Sequence, residues 1–313
     1  MDRGEKPIRL LTAAALPLLL AAAADTAALP IAEARWLAPD HLLEDLSRQP
    51  SECFVPPADE AGRRSAAIGR AAFRAPLLLG GQAARAGLSC ASCHRSGRGN
   101  PHFVFPGLSG APGTADVTSS LMSRHRGDGS FNPKPIPDLA AGVRRVPRDR
   151  QSRALESFIR GLVVEEFDGP EPPPPVLEGL ADYVRAMEGK ACGGAEPVTL
   201  AAALAELDAA IGPALAAAAA GDRATMRLLV GAARSTLGRI DERYRLDGLE
   251  DERRLLREAD AALRAIRQMA PAEAAPAMLA WQREWPARLQ GLRRTEARSL
   301  FSPAVLRERL AGR

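Results

Sequence analysis

Apolar residues after residue 195 recur every three or four positions, which is the spacing of an amphipathic α-helix. Four such stripes follow one another, at Leu200 to Leu215, Met226 to Tyr244, Leu249 to Ile266 and Met278 to Leu292. Residues that end or start helices separate them, at Thr199, Gly221-Asp222, Asp247-Gly248 and Ala270-Pro271. Such short connections predict antiparallel neighbours, so residues 196–313 are expected to form a four-helix antiparallel bundle. Pro276 and Pro286 should bend or interrupt its last helix.

The region from residue 50 to residue 195 combines three helical patterns with loops rich in glycine and proline. These patterns run from about Asp59 to Arg74, from about Arg153 to Phe167, and onward from the proline run that ends at Pro175. No segment alternates convincingly like a strand, and aromatic residues make up only 4% of the chain, which disfavours a sandwich or barrel. The 313 residues are therefore expected to form two all-α units.

The distribution of charge along the chain disfavours nucleic acid as a partner. Its formal net charge is +4, and the basic residues are spread along the sequence. Proteins that bind nucleic acid usually carry a clustered basic stripe, so we expect no nucleic-acid partner. The hydrophobic share of 46% excludes a chain that is disordered throughout.

The N-terminus has the pattern of a cleavable export signal over residues 1–24, followed by an extension over residues 25–49. Arg3, Lys6 and Arg9 precede an apolar run from Leu10 to Ala24, and small residues follow. A membrane anchor is the alternative, but this run is short for a span and no later segment is expected to reach that length. The mature chain is therefore expected in the periplasm, with no stable membrane span.

The segment Ser89-Cys90-Ala91-Ser92-Cys93-His94 is the most informative in the chain. A C-x-x-C-H string suits a covalently attached c-type haem, because the two thiols can form thioethers and the histidine can bind iron. Three alternatives remain: a thioredoxin-like redox pair, part of a zinc site, and a disulfide between Cys90 and Cys93. An export signal, a glycine-rich approach and the nearby Phe103 and Phe105 all favour haem, one group per chain.

The sixth ligand of a haem iron would decide between electron transfer and chemistry on a small molecule. Met122 lies in a loop after the motif and is the first candidate, with His125 and His102 behind it. An open sixth position is also possible, and both histidines could instead be surface or propionate-contacting residues.

Two further features concern the same region. Cys53 and Cys192 bracket it, and in an oxidising compartment such a pair is expected to form a disulfide; two free buried thiols are the alternative. Between Arg95 and Arg153 there are ten Arg or Lys residues against four Asp. If these line the haem edge, they would steer an acidic redox partner; an ordinary solvated face explains them as well.

Several segments around the motif form a wider pattern: Ile68-Gly69-Arg70 with Phe73 and Pro76, Gly87 to His94, Asp128-Gly129-Ser130, and Leu180 to Val184. From about Ile68 to Glu188 the chain resembles the haem domain of the bacterial di-haem cytochrome c peroxidases and their methylamine-utilisation relatives. The resemblance implies a cytochrome c-like haem domain with long loops over residues 50–195. It also implies attachment through Cys90 and Cys93 and proximal ligation by His94.

The chain departs from that family in two respects. It has one haem motif instead of two, and Gly110 stands about where the peroxidatic haem of the family takes a distal histidine. Two-haem peroxide reduction is therefore not implied. The function expected is one-electron transfer by an exported mono-haem cytochrome. The alternatives are a single-haem, peroxidase-like oxidoreductase with an open distal face and an electron-donating subunit of a larger periplasmic complex.

Overall fold

The computed structural model describes residues 29–119, 121–125, 127–141 and 146–312. The predicted export signal lies outside the described residues. The described chain is mostly helical, and its strands are two or three residues long. This confirms the all-α class, because these short pairings add no sheet on which a core could be built.

The N-terminal extension, residues 29–47, is a strap of short helical turns. Turns of 3₁₀ helix at Ala32–Trp36 and Pro39–His41 lead into helix α1, Leu42–Ser47. Its apolar residues pack against Leu300 and Leu306 near the C-terminus. A short amphipathic helix at Pro39 to Leu46 is expected from the sequence to pack on the unit that follows it, but its main apolar contact is with the far end of the chain.

The two ends of the region that follows the strap lie next to each other. Strand β1, Arg48–Pro50, pairs with a strand that lies after residue 194, and a disulfide joins Cys53 to Cys192 close by. The predicted disulfide is thus confirmed. The two Cα atoms are 4.3 Å apart although the cysteines are separated by 139 positions in the sequence, so the segment between them is closed at its base.

Between the two cysteines the helices are short and the connections long. The helices are α2, Glu60–Phe73; α3, Pro76–Leu79; α4, Gly81–Ala86; α5, Cys90–Cys93; α6, Ala154–Gly161; and α7, Pro174–Arg185. One turn of π-helix, Leu162–Glu166, continues α6. Two-residue strands β2, Thr114–Ala115, and β3, Lys134–Pro135, pair within the long loop. The three helices expected from periodicity are therefore present.

Helices α2 and α7 form the base on which these loops rest, and two glycines set how closely they pack. A Cβ atom at Gly69 would overlap the backbone of Gly179, and one at Gly179 would overlap the carbonyl oxygen of Ser65. Only residues without side chains permit this approach, because interiors are packed too densely to yield by so much.

Strand β4, Ala195–Pro197, completes the pairing with β1 and leads into the bundle. Its long helices are α8, Leu200–Ala219; α9, Arg223–Arg243; α10, Glu250–Gln268; and α11, Pro271–Thr295. A shorter helix, α12, Pro303–Ala311, follows. Each long helix packs on its sequence neighbour, and α11 returns to α8, so the ring of four is closed. This is the predicted antiparallel bundle.

The structure changes two expectations that concern the bundle. Helix α11 continues through Pro276 and Pro286 without the predicted interruption, while Met278, Trp281 and Trp285 on its inner face stay buried. Packing of that face outweighs the lost backbone hydrogen bonds. Among the described residues α8 is also long and apolar enough to cross a membrane by length and composition, a test that buried core helices pass as well. The many alanines of α8 give it this length of apolar sequence, so the expectation that no later segment reaches the length of a membrane span is wrong.

Candidate functional site

Helix α5 holds the two cysteines of the C-x-x-C-H motif on one short, well-supported turn. Ser89 and Ser92 form a capping box, in which the Ser89 backbone N–H donates to the Ser92 hydroxyl over 3.1 Å. The side-chain nitrogen of Asn100 donates to the Ser92 carbonyl oxygen over 2.9 Å. Since residues three apart share a face of a helix, Cys90 and Cys93 point the same way.

The turn after the motif depends on a glycine and an arginine. Gly97 has a φ of +79°, and a Cβ atom there would overlap the side chain of Met187. Arg95 donates to the Asp45 carboxylate over 2.8 Å and to the Arg48 carbonyl over 2.9 Å. The strap and β1 therefore fix the backbone directly after His94.

The two thiols are unbonded and partly accessible, and they pack beside the apolar core. Burial raises the pKa of Cys90 to about 12, and burial together with the neighbouring Cys90 raises the pKa of Cys93 to about 12. Both stay protonated at neutral pH, whereas thioredoxin-like pairs rely on a lowered thiol pKa. These raised pKa values do not favour the redox-pair alternative, and the two thiols form no disulfide with each other in the structure.

The zinc alternative also lacks its further ligands. Within the described ranges, no cluster of three or more His, Cys, Asp or Glu side chains is arranged to hold a metal ion. A structural zinc site needs four such ligands in tetrahedral geometry. The motif is thus not complemented by ligands from another part of the described chain.

His94 is held in one tautomer. Its Nδ1 lies 3.0 Å from the Pro137 carbonyl oxygen. Because a carbonyl can only accept, Nδ1 carries the proton and Nε2 keeps a free lone pair. Burial lowers the pKa of His94 to about 4 despite the hydrogen bond to Pro137, so the ring is neutral near pH 7. No described residue bonds to Nε2, and this is the form in which imidazole binds metals.

The loops of this region leave apolar surface partly uncovered. Six side chains of the region pack against the core yet stay partly accessible. Four lie in loops, Phe105, Val117, Ile136 and Leu139, and two lie on α6 and its π-helical turn, Ile159 and Val164. Leu121, Phe131 and Phe158 are exposed, and only two other large apolar residues in the described chain are. The region therefore buries its own apolar side chains less completely than an ordinary domain core does.

Met122 lies in the interior, as a sixth ligand would require. Its side chain is 2% exposed, and its backbone N–H donates to the Ser119 carbonyl over 3.0 Å. It belongs to the same apolar cluster as Phe73 and Leu88. Iron ligation by its sulfur stays a prediction.

The two histidines named as further candidates have carboxylate neighbours. His102 Nδ1 lies 2.8 Å from an oxygen of Asp45, and its ring stacks on His41 with a centroid separation of 3.6 Å. His125 is exposed, and its Nε2 lies 3.7 Å from an oxygen of Asp168. Both histidines therefore have carboxylate contacts, and iron ligation by either one stays a prediction.

Two partners of the motif were missed in the sequence, Asn100 and the Pro137 carbonyl. The second lies 43 residues from His94, in a loop without periodicity. A proline-rich stretch from Pro133 to Pro137 was the only signal, because proline stiffens a loop that must present a backbone oxygen.

The predicted basic collar is mostly paired within the chain. Arg126, Arg144 and Arg145 lie outside the described residues. Arg95 and Arg148 turn inward, to Asp45 and to the carbonyls of Val184 and Leu139. Four others form ion pairs: Arg98 with Asp138, Arg124 with Asp168, Arg150 with Asp182, and Arg153 with Glu178. Paired charges steer a partner weakly, so an acidic partner stays a prediction with little geometric support.

Comparison of the chain with protein-family models, curated proteins and solved structures found no match in any of the three. The site therefore has to be interpreted from its own geometry.

Proposed function

We propose that this chain is an exported mono-haem c-type cytochrome that transfers single electrons. The observation that carries the proposal is the arrangement at α5. Two unbonded thiols share one face of the helix, and the next residue is a neutral histidine whose Nε2 is free. The donor set fits a c-type haem better than the alternatives because protonated thiols and one oriented imidazole are what attachment and proximal ligation need.

Each residue of the motif has a defined part in this proposal. Cys90 and Cys93 would hold the porphyrin through thioethers, and His94 would bind iron through Nε2. The Pro137 carbonyl keeps the proton on Nδ1 and so fixes the ring orientation. When bound, the haem iron supplies a one-electron couple between its ferrous and ferric forms.

The partly covered apolar residues of the loops support the same proposal. Phe105, Val117 and Ile136 remain partly accessible although they pack beside the core. A flat apolar macrocycle would cover such surface, at about 25 cal/mol for each Å² removed from water. The haem would then act as part of the core of this region.

The Cys53–Cys192 disulfide is compatible with export, because such bonds persist mainly in oxidising compartments. Cleavage of residues 1–24 and residence in the periplasm are part of the proposal.

Maturation in a host with a c-type haem attachment system tests the proposal directly. We expect the purified protein to keep one haem after denaturation and to show distinct oxidised and reduced absorption spectra. The Cys90→Ala/Cys93→Ala variant should lose covalent haem, whereas the matched Cys53→Ala/Cys192→Ala variant should keep it. Protein that stays colourless after maturation contradicts the proposal.

The iron coordination separates electron transfer from the enzymatic alternative. A low-spin, six-coordinate ferric protein that becomes high-spin in Met122→Ala, but not in the control variant Met226→Ala in the bundle, supports an electron carrier. High-spin iron that binds cyanide and turns over peroxide supports a peroxidase-like enzyme instead. Stable association of the matured protein with another periplasmic protein would indicate the electron-donating subunit.

A further inference from the structure

A cavity lies beside α5, between the strap and the bundle. It has an interior volume of about 380 Å³, within the range of small-molecule sites. Ala91 and Ser92 form part of one wall, and neither cysteine of the motif lines it. The strap supplies Ile31 and Trp36, and the bundle supplies residues of α8 and α9. We refer to it as the strap crevice.

Arg243 is the unusual residue of the strap crevice. It is 5% exposed, and one guanidinium nitrogen donates to the Leu300 carbonyl over 2.8 Å. The guanidinium also lies over the Phe301 ring, 5.3 Å from its centroid, so its position is fixed before any ligand arrives. Within the described part of the chain, no carboxylate lies within 4.0 Å of it, and Leu300 is its one hydrogen-bond acceptor.

Arg243 lines the strap crevice and has unused donors. A guanidinium has five N–H donors, and the contact with Leu300 uses one nitrogen. No other acceptor within the described residues bonds to this guanidinium, and its remaining nitrogens are not fully enclosed without a partner. Because Arg243 is a lining residue, we infer that these donors are available to a ligand in the crevice.

The carboxylates of the crevice already have partners. Glu206 pairs with Arg74 over 3.4 Å and with Arg239 over 3.2 Å. Glu33 lies 3.9 Å from Arg95, and Glu242 accepts the backbone N–H of Ala32 over 3.0 Å. The wall holds four arginines against these three carboxylates, so one positive charge is in excess. Burial lowers the pKa of Arg243 only to about 10, so it stays cationic at neutral pH.

We propose that the strap crevice binds a small organic monocarboxylate, with its carboxylate on Arg243 and its apolar body against Ile31, Trp36 and Leu77. A planar guanidinium with several free N–H groups matches a carboxylate, and charge-assisted hydrogen bonds of this kind are stronger than neutral ones. Three carboxylates in the wall disfavour a doubly charged phosphate. This site is independent of the proposed haem.

Gly238 gives a way to narrow the strap crevice without disturbing the fold. It lies within α9 at the exposed edge of the cavity, and a Cβ atom there would meet nothing within 4 Å. Glycine costs about 1 kcal/mol relative to alanine inside a helix, so a larger residue favours the helix while it narrows the opening. Gly212 in α8 also has open space around it but does not line the crevice, and it supplies the matched control.

Calorimetric titration of the mature chain with hexanoate, hexylammonium and sulfate tests the proposal. We expect hexanoate to bind at least about tenfold more tightly than hexylammonium or sulfate. Gly238→Leu should weaken hexanoate binding at least about tenfold, and Gly212→Leu should change it less than about twofold. Arg243→Gln should also lose binding; if that variant does not fold, the pair of glycine variants still decides.

Three results would overturn the proposal. They are an affinity for hexylammonium equal to that for hexanoate, unchanged hexanoate binding in Gly238→Leu, and the absence of hexanoate binding. Haem-loaded and haem-free chains should bind hexanoate alike, so a failed haem test leaves this test standing.

Discussion

The bundle and the motif-bearing region solve the problem of forming a core in opposite ways. In the bundle, helices of about 20 residues turn continuous apolar stripes inward, and residues such as Leu263, Ile240 and Met278 are fully buried. Between Cys53 and Cys192, short helices are joined by long loops, and several apolar side chains stay partly accessible. The side chains of the bundle fill its core without another group. Under the proposed function, the loops need a prosthetic group to complete theirs.

A buried polar network joins the two regions. Arg74, the residue directly after α2, pairs with Glu52 over 3.1 Å and with Glu206 on α8 over 3.4 Å. The Tyr183 hydroxyl on α7 donates to Glu52, and the Phe73 ring that contacts Tyr183 also lies 6.3 Å from the ring of His94. The base of the motif-bearing region is therefore anchored to the bundle.

Haem attachment should have the largest effect on the difference between the two regions. We expect amides between residues 90 and 139 to gain about a hundredfold in hydrogen-exchange protection on maturation, and the bundle to change less than about threefold. Mass-spectrometric exchange on matured and haem-free protein measures both, with Cys90→Ala/Cys93→Ala as the control that should gain nothing. An equal gain in both regions would show that the loops need no separate completion.

Removal of the disulfide between Cys53 and Cys192 should have the next largest effect, on the free energy of unfolding. The Cys53→Ala/Cys192→Ala variant is expected to lose about 4 to 5 kcal/mol of unfolding free energy, because a long closed loop is released in the unfolded chain. Urea denaturation measures the loss, and a reductant should weaken the wild type by the same amount without affecting the variant. A loss under about 1 kcal/mol would mean that the unfolded chain keeps this segment compact.

Truncation of one apolar side chain in each region sharpens the contrast. Leu263→Ala in α10 leaves a cavity in a closed core and should cost about 2 to 5 kcal/mol. Phe105→Ala should cost little in haem-free protein and clearly more after maturation, since Phe105 is only partly buried by the chain itself. Denaturation of both variants in both states is the measurement. Equal costs for Phe105→Ala before and after maturation would contradict the idea that haem completes this core.

The network at Glu52 predicts a smaller, pH-dependent effect. Although burial alone would raise it, Arg74, Arg70 and the Tyr183 hydroxyl lower the pKa of Glu52 from 4.5 to about 2. The carboxylate therefore stabilises the fold above pH 4.5, and this stability is lost as the pH falls towards 2. The shift corresponds to about 3 kcal/mol. Glu52→Gln should remove this part of the acid sensitivity in thermal unfolding, and an unchanged pH profile would contradict the assignment.

The ability to predict the structure from the sequence follows the same division. Helix starts in the bundle could be predicted because local residues make them: Thr199 accepts from the Ala202 N–H, and Asp222 accepts from the Thr225 N–H. The motif itself was equally visible, since it is contiguous. The groups that support the motif could not be predicted, because Asn100 and the Pro137 carbonyl act from loops without periodicity. The strap contacts the following unit as expected, through His41 and Asp45. Its apolar contact with Leu300 and Leu306 could not be predicted, because an apolar face does not specify which distant helix it will meet.

The closed base at Cys53 and Cys192 separates the length of the loops from the position of everything else. The chain leaves and returns within one disulfide's reach, and its bonds to the strap come from Arg95 and residues 102–104, before β2. Residues added between β2 and β3 need therefore displace neither the strap nor the bundle. The length of this loop can then change in evolution or by design while the disulfide and the strap contacts hold the rest of the segment in place.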